Sequence, residues 1–259
     1  MPFYSGLKLR FANLCHDREV LQEPVQVKID STYSEHSGAA LAGRSRMIAT
    51  FRGHPGISYT FHPYQFEGTV EELLQMELEG SADRAVFIAG MNAVCGWANP
   101  QLRTVHCSDD GSLRCTQRLV KELKENGYDC PGLIGFQPSF LKALGKGFGN
   151  WNTACVDQSE VDESIRRSAD IDPLDEEHLK QLISWSDVIV VTGATLVSGT
   201  LPDILEWAEM SGIPALFYGT SIAGAADLMG LPRFCPEARS VLFPEALAPE
   251  LEASVLETA

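Results

Sequence analysis

Asp187-Val-Ile-Val-Val-Thr192 restricts the fold of this chain more than any other segment. Val188 to Val191 are four apolar residues in a row, with no polar alternation, so neither face of the strand can meet water. A strand buried on both faces belongs to a parallel sheet covered by helices. The flanking sequence agrees. Thr192-Gly-Ala-Thr-Leu-Val-Ser-Gly-Thr200 reads as a loop of glycines and hydroxyls, and Thr200 with Asp203 reads as a capping box. The helix it opens buries Leu201, Ile204, Leu205 and Ala208, ends at Gly212 and cannot pass Pro214. Pro214-Ala-Leu-Phe-Tyr218 is the next strand, and a short helix over Ala223–Met229 follows. Upstream, Gly132–Phe136 and Thr153–Asp157 are short strands, with a helix from Pro138 through Leu144 between them. Asp175 caps a helix with Leu179, Leu182 and Ile183 inward. Strand–helix alternation at this spacing predicts a parallel sheet with right-handed crossovers.

The first part of the chain reads differently. Val25–Ile29, Met47–Phe51 and Ile57–Phe61 alternate between Gly, Ser and Pro breaks, as antiparallel strands do. Thr69 and Glu72 form a capping box ahead of Val70, Leu73 and Leu74. Ser81 is placed as the N-cap of a helix to Trp97, with Ala85, Ile88, Ala89, Asn92 and Gly96 on one side. A third helix from Ser112, carrying Leu113, Val120 and Leu123, stops at Gly127. The expectation is an α/β protein: a small α+β domain over 1–110, then a Rossmann-like parallel-sheet domain over 111–259 with an acidic, Ala-rich tail. Trp151, Trp185 and Trp207 are expected to be packing residues.

The charge excludes some functions. The 35 acidic residues outweigh 20 basic ones, a net −15, which repels nucleic-acid backbones and anionic membranes. No apolar run approaches the ~18–20 residues of a membrane span, and no signal pattern opens the chain, so a cytoplasmic protein is expected. Seven cysteines without a C-x-x-C read as reduced thiols. His106 and Cys107 are metal-ligand candidates, although on an extended segment neighbouring side chains diverge. Cys115 shares a helical face with Leu119 and reads as core.

In open parallel sheets, ligands bind beyond the carboxyl ends of the strands. That nominates Gln137–Ser139, Asp157–Glu160, Thr192–Thr200 and Gly219–Ile222. In the third of these, Thr192, Gly193, Thr195, Ser198 and Thr200 offer backbone N–H groups and hydroxyls to an anion, and Thr220 and Ser221 do the same in the fourth. Asp157 ends a strand where a carboxylate meets ribose hydroxyls or a cation. Asn92 is a polar amide on a small apolar helical face, and Tyr59 and Thr60 end a strand ahead of His62. Asp157→Ala and Asn92→Ala are expected to impair binding more than folding. Neither G-x-G-x-x-G after the first strand nor G-x-x-x-x-G-K-[ST] is present, so no NAD or ATP fingerprint exists. No G-x-S-x-G nucleophile elbow exists either.

These loops carry a resemblance. Thr192–Thr200 with Leu201-Pro-Asp-Ile-Leu205 resembles the signature of the domain family named for putative heavy-metal chelation. Ile134-Gly-Phe-Gln-Pro138, Val156-Asp157 and Gly219-Thr-Ser221 agree with it in order and spacing. Gly56-Ile-Ser-Tyr-Thr60 and Ala89-Gly-Met-Asn-Ala93 resemble the domain that accompanies it, whose fold is similar to the enolase N-terminal domain. The likeness runs from about residue 20 to 245, with Ser198 in place of an asparagine and Thr220 in place of a common proline. It implies a site in an interdomain cleft and a role near metal or cobalamin-type pathways.

The leading expectation is a protein that binds a divalent or heavy metal, or a metal-chelating small molecule, in that cleft. Tyr59, Thr60, Asn92, Gln137, Asp157 and the two hydroxyl loops would line it, with Asp157, His106 and Cys107 as metal ligands. The alternatives are an enzyme acting on a phosphorylated or carboxylated metabolite held by the 192–200 and 219–222 loops, and a regulatory ligand-binding module. Soft ligands are absent from those loops, which disfavours a tight bare-metal site there. The sequence decides neither the reaction nor the oligomeric state, for which a homodimer is the default.

Overall fold

The computed structural model describes residues 2–30, 44–107, 111–150, 153–157 and 171–241. Trp151, the loop at 158–160 and the acidic tail lie outside them. Two sheets organise the α/β fold. The first is antiparallel, in the order β3-β2-β1-β4, built from β1 (Pro24–Asp30), β2 (Ser45–Phe51), β3 (His54–Thr60) and β4 (Phe66–Thr69). The second is wholly parallel, in the order β7-β6-β5-β8-β9, from β5 (Pro131–Ile134), β6 (Ala154–Asp157), β7 (Ile171–Pro173), β8 (Val188–Thr192) and β9 (Ala215–Tyr218).

Helix α3 (Ser81–Ala98) lies between the two halves and is buried along Arg84–Gly96. A helix apolar around its whole circumference is stable only in such a place. One side packs on β3, where Gly56 brings the strand against the helix backbone. A Cβ there would lie 2.2 Å from the Ala89 carbonyl oxygen and the Ala93 nitrogen. Arg84 ties the helix to the second half, donating to the carbonyls of Val197 at 2.7 Å and Ser198 at 2.8 Å.

Along β8 the side chains alternate between two cores. Val188 and Val190 join Leu133, Leu119, Leu123, Phe140 and Leu144, under α4 (Gly111–Glu125) and α5 (Pro138–Phe148). Ile189 and Val191 join Ile134, Leu179, Leu182, Ile204 and Ala208, under α6 (Glu176–Trp185) and α8 (Leu201–Ser211). The parallel sheet is therefore covered on both faces, as its continuous apolar strand requires.

Several local expectations change. Residues 2–17 form helix α1 (Pro2–Asp17), with Tyr4, Leu7, Phe11 and Cys15 buried. Phe11 meets Phe87 of α3 edge-on at 5.7 Å between ring centroids. The Tyr4 hydroxyl donates to Leu196 O at 2.6 Å, and Arg10 donates to Leu228 O of α9 (Ala223–Met229) at 3.2 Å. Gly80, not Ser81, is the N-cap of α3 and makes no side-chain cap. The 192–200 segment is not a loop but holds the short helix α7 (Ala194–Ser198). That helix ends in left-handed Gly199, so Thr200 enters α8 already helical (φ −84, ψ −14) and cannot cap. Its hydroxyl instead meets Ser198 Oγ at 3.0 Å. Leu113, expected in the core, is exposed because the buried face of α4 runs through Cys115, Leu119 and Leu123. Trp185 is likewise partly exposed, at the end of α6. The capping box at Thr69, which opens α2 (Val70–Gln75), and the Asp175 cap of α6 form as expected.

Candidate functional site

β5 and β8 are neighbours whose onward chains diverge to opposite sides of the sheet, leaving a crevice at their carboxyl ends. A cavity of about 330 Å³ lies there. Thr192 and Gly193 end β8, Tyr218 to Ser221 end β9, and Phe136 to Phe140 lead from β5 into α5, all lining it. Two glycines let these turns meet. Gly135 has φ +94, and a Cβ on it would strike the Thr192 side chain at 2.2 Å. A Cβ on Gly193 would lie 2.7 Å from the Ile222 nitrogen. The Tyr218 ring stacks on Phe140 at 4.4 Å, and its hydroxyl donates to Gly135 O at 2.8 Å. Burial pushes that phenol far above its ordinary value.

The polar groups at this end of the sheet are unevenly satisfied. The Gln137 side-chain oxygen caps α5, accepting from the Ser139 N–H at 2.9 Å and the Ser139 hydroxyl at 2.8 Å. Thr192 Oγ1 accepts from the Ala194 N–H at a long 3.4 Å. Thr220 differs: its side chain is buried, 1% exposed, and its hydroxyl has no hydrogen-bond partner. Among the described lining residues there is no Asp or Glu, although the chain carries a net charge of −15.

Arg44, Tyr59 and Ala194 border this cavity and also a neighbouring one of about 430 Å³. The second cavity is faced by Thr60, Phe61 and His62 beyond β3 and by Val197, Ser198 and Thr200 at the end of α7. The Arg44 guanidinium sits over the Phe61 ring at 4.9 Å, and its Nη2 is 3.7 Å from Asp157 Oδ1. The other Asp157 oxygen accepts from the Phe136 N–H at 2.6 Å.

The expected site residues thus divide. Gln137, Thr192, Gly193, Thr220, Ser221, His106 and Cys107 line the first cavity, Thr60, Ser198 and Thr200 the second, and Tyr59 both. Three expected residues line neither. Asn92 is fully buried: Nδ2 donates to the carbonyls of Ile57 (3.0 Å), Thr220 (3.1 Å) and Ser221 (3.3 Å), while Oδ1 accepts from the Gly224 N–H at 2.7 Å. Its amide is spent on holding the β9–α9 turn against β3 and α3. Thr195 donates to Thr192 O at 2.7 Å inside the first turn of α7. Asp157 stands behind Arg44 and anchors it.

The expected metal set does not assemble. Among the described residues, no three His, Cys, Asp or Glu side chains are grouped so as to hold a metal ion. His106 and Cys107, just past the Val105–Arg239 bridge, do share a wall of the first cavity. His106 Nδ1 lies 3.5 Å from Cys107 Sγ.

Beside them the structure places two thiols that sequence reasoning did not assign to the site, Cys115 and Cys235. The three thiols line this cavity together. The Cys115 thiol holds Cys107 below its ordinary value despite burial. Cys107 in turn raises Cys115, and Cys115, together with burial, raises Cys235 well above its ordinary value. Gly111 makes the approach feasible, since a Cβ there would lie 2.6 Å from Cys107 Cβ. The spacing Cys107–Gly111–Cys115, four residues each, was the available signal. All seven cysteines are free thiols.

Residues 127–222 match DUF364, the family described as putative heavy-metal chelation. A solved structure from Pyrococcus horikoshii, a protein of unknown function from that family, aligns with a TM-score of 0.53 at 14% identity. The alignment covers 95% of this chain and 82% of that one. A second protein of unknown function from the family, from Desulfitobacterium hafniense, gives 0.47 at 16% identity, covering 72% and 73% of the two chains. The first likeness is one of fold. No curated protein matches the chain. Among the described residues, no helix is long and apolar enough to cross a membrane.

Proposed function

With residues 127–222 carrying the domain of the putative heavy-metal chelation family, we propose that this protein binds a small anionic, metal-chelating compound in the cavity at the ends of β5, β8 and β9. In this reading the parallel-sheet half is a Rossmann-like domain using its crevice in the usual way. The role is metal handling or the assembly of a metal-bearing cofactor.

The observation that carries the proposal is the cavity's polarity. In an acidic chain, its described lining has no carboxylate but does have Arg44, several hydroxyl residues and Thr220, whose own hydroxyl lies buried just behind the wall without a partner. Leaving a buried hydroxyl unpaired costs about 1–3 kcal/mol, and a ligand that pairs with it recovers that cost. Hard cations bound directly by protein take several carboxylate or carbonyl oxygens. This wall instead suits an anion, so the metal enters already chelated. The anchored Arg44 supplies the counter-charge for a carboxylate.

Calorimetric titration with citrate, its nickel complex and inorganic phosphate tests the reading. The expected result is saturable binding of citrate or its complex, weakened about tenfold, ~1.4 kcal/mol, in Thr220→Val. Absence of binding by all three, or a Thr220→Val variant that binds like wild type, would refute it.

A further inference from the structure

The first cavity is not polar throughout. Resting on the anion reading above, we infer that its ligand carries its carboxylates on a flat aromatic ring, an aromatic chelator rather than an open-chain one. Tyr59, Phe136, Phe140, Tyr218 and Phe234 all border the space. Three of them also belong to the core under α4 and α5. Phe136, Tyr218 and Phe140 are 8%, 7% and 6% exposed, whereas every other buried residue described in that core is at 4% or less. What this core leaves uncovered is therefore concentrated on its aromatic rings, at the end of the sheet that the cavity occupies.

The polar side chains beside these rings are engaged with one another. Ser139 Oγ donates to Gln137 Oε1 at 2.8 Å and lies 2.8 Å from Ser112 Oγ. The Tyr218 hydroxyl is spent on Gly135 O, so that residue offers a ligand its ring alone. The Tyr218 and Phe140 rings are nearly parallel, 22° apart with centroids at 4.4 Å, a pair that a further ring can join offset or edge-on.

The charged and hydroxyl-bearing part of the lining comes from elsewhere. Thr220 and Ser221 sit in the turn that Asn92 holds to α3, and Arg44 enters from the residue ahead of β2. A ring bearing carboxylates on one edge matches both parts at once. Its apolar body lies against Phe136, Phe140 and Tyr218, and its carboxylates point to Arg44 and the hydroxyl turn. An open-chain polycarboxylate such as citrate has no apolar surface to cover the rings, which then stay in contact with water. A cavity of about 330 Å³ is at the small end of ligand sites, a size suited to a single substituted ring.

Calorimetric titration of the full chain with pyridine-2,6-dicarboxylate and with glutarate isolates the ring, because the two dianions hold their carboxylates through spacers of equal length. The pyridine compound should bind about tenfold tighter to wild type, a comparison that needs no variant to fold. Its heat-capacity change should also be the more negative. Phe140→Leu, which keeps an apolar side chain without a ring, should weaken the pyridine compound about three- to tenfold and leave glutarate unchanged. Benzyl alcohol, a ring without charge, should bind more weakly than the pyridine compound. Glutarate binding as tightly as the pyridine compound, or a Phe140→Leu variant that weakens neither dianion or both alike, would overturn the aromatic ligand and leave the anion reading in place. Benzyl alcohol binding as tightly as the pyridine compound would overturn the anion reading and with it the carboxylates assigned to the ring. Binding of neither dianion would overturn both.

Discussion

Asn92→Ala should cost this protein about 3–5 kcal/mol of folding stability, most of it from backbone groups left without partners. The amide is fully buried and joins three segments distant in sequence: Ile57 in β3, Thr220 and Ser221 after β9, and Gly224 in α9. Alanine strands the Gly224 N–H, a penalty of about 1–3 kcal/mol in a site water does not reach. The carbonyls facing Nδ2 lose a donor, and the hollow adds about 1 kcal/mol more. Urea unfolding followed by tryptophan fluorescence reads the loss. With a slope of about 2–3 kcal/mol/M, the midpoint should fall by about 1–2.5 M at unchanged slope. Asn92→Asp keeps the shape and the acceptor for Gly224 but turns an oxygen toward the carbonyls, so it should be no milder than alanine. A midpoint shift below about 0.3 M in Asn92→Ala would refute the reasoning, because the buried groups would have found other partners.

Asp157→Asn retains an acceptor for the Phe136 N–H but leaves the largely buried Arg44 without its counter-charge. A loss of about 2 kcal/mol in the same urea assay is expected, against the earlier expectation of a mainly binding effect. Gly56→Ala drives a Cβ into the backbone of α3 and should cost about 3 kcal/mol or more, seen as a lowered urea midpoint and poor soluble yield. The α6 cap is pH-dependent in a definite direction. Asp175 is held below its ordinary 3.8 by the His178 backbone N–H and then its imidazole, and His178 is raised above 6.5 by its hydrogen bond to Asp175. Its stabilising contribution is therefore complete between those two ordinary values. It fades as pH rises through the raised imidazole value and as it falls through the lowered carboxylate value. NMR titration should show the His178 midpoint above 6.5 in wild type and back near it in Asp175→Asn.

The parallel sheet was legible because its signals are local. Val188–Val191 leave a strand no wet face, and glycine and proline mark where its neighbours end. Its topology then located the crevice before any side chain was placed. Helix α1 also left a trace, since Tyr4, Leu7, Phe11 and Cys15 recur at helical spacing. Gly6, exposed Leu9 and the lack of a cap residue diluted it. The site residues were harder for a physical reason. Whether Asn92 meets a ligand or a backbone carbonyl depends on chain 35 to 129 residues away. The grouping of the three thiols has the same origin, because Cys235 joins Cys107 and Cys115 only through the tertiary fold. Thr220 could be nominated from its loop, but that its hydroxyl lacks a partner is a property of packing alone.

The stitching of α1 to the far end of the chain has a consequence for how the protein is made. Part of the helix finds cover early, where Phe11 meets Phe87. The rest must wait, because the Tyr4 hydroxyl bonds a carbonyl 192 residues later and Arg10 one 218 residues later. At about 5–20 residues per second, Leu196 leaves the ribosome about 10–40 s after Tyr4. Throughout that interval the apolar stripe of α1 is only half housed, and the nascent chain offers it to whatever is nearby. The final docking of α1 on α7 and α9 closes loops of 192 and 218 residues, a step of high contact order that is slow relative to helix formation. The start of this chain is thus among the last pieces to be finished, and the window of greatest exposure to chaperones or to aggregation falls during synthesis rather than after it.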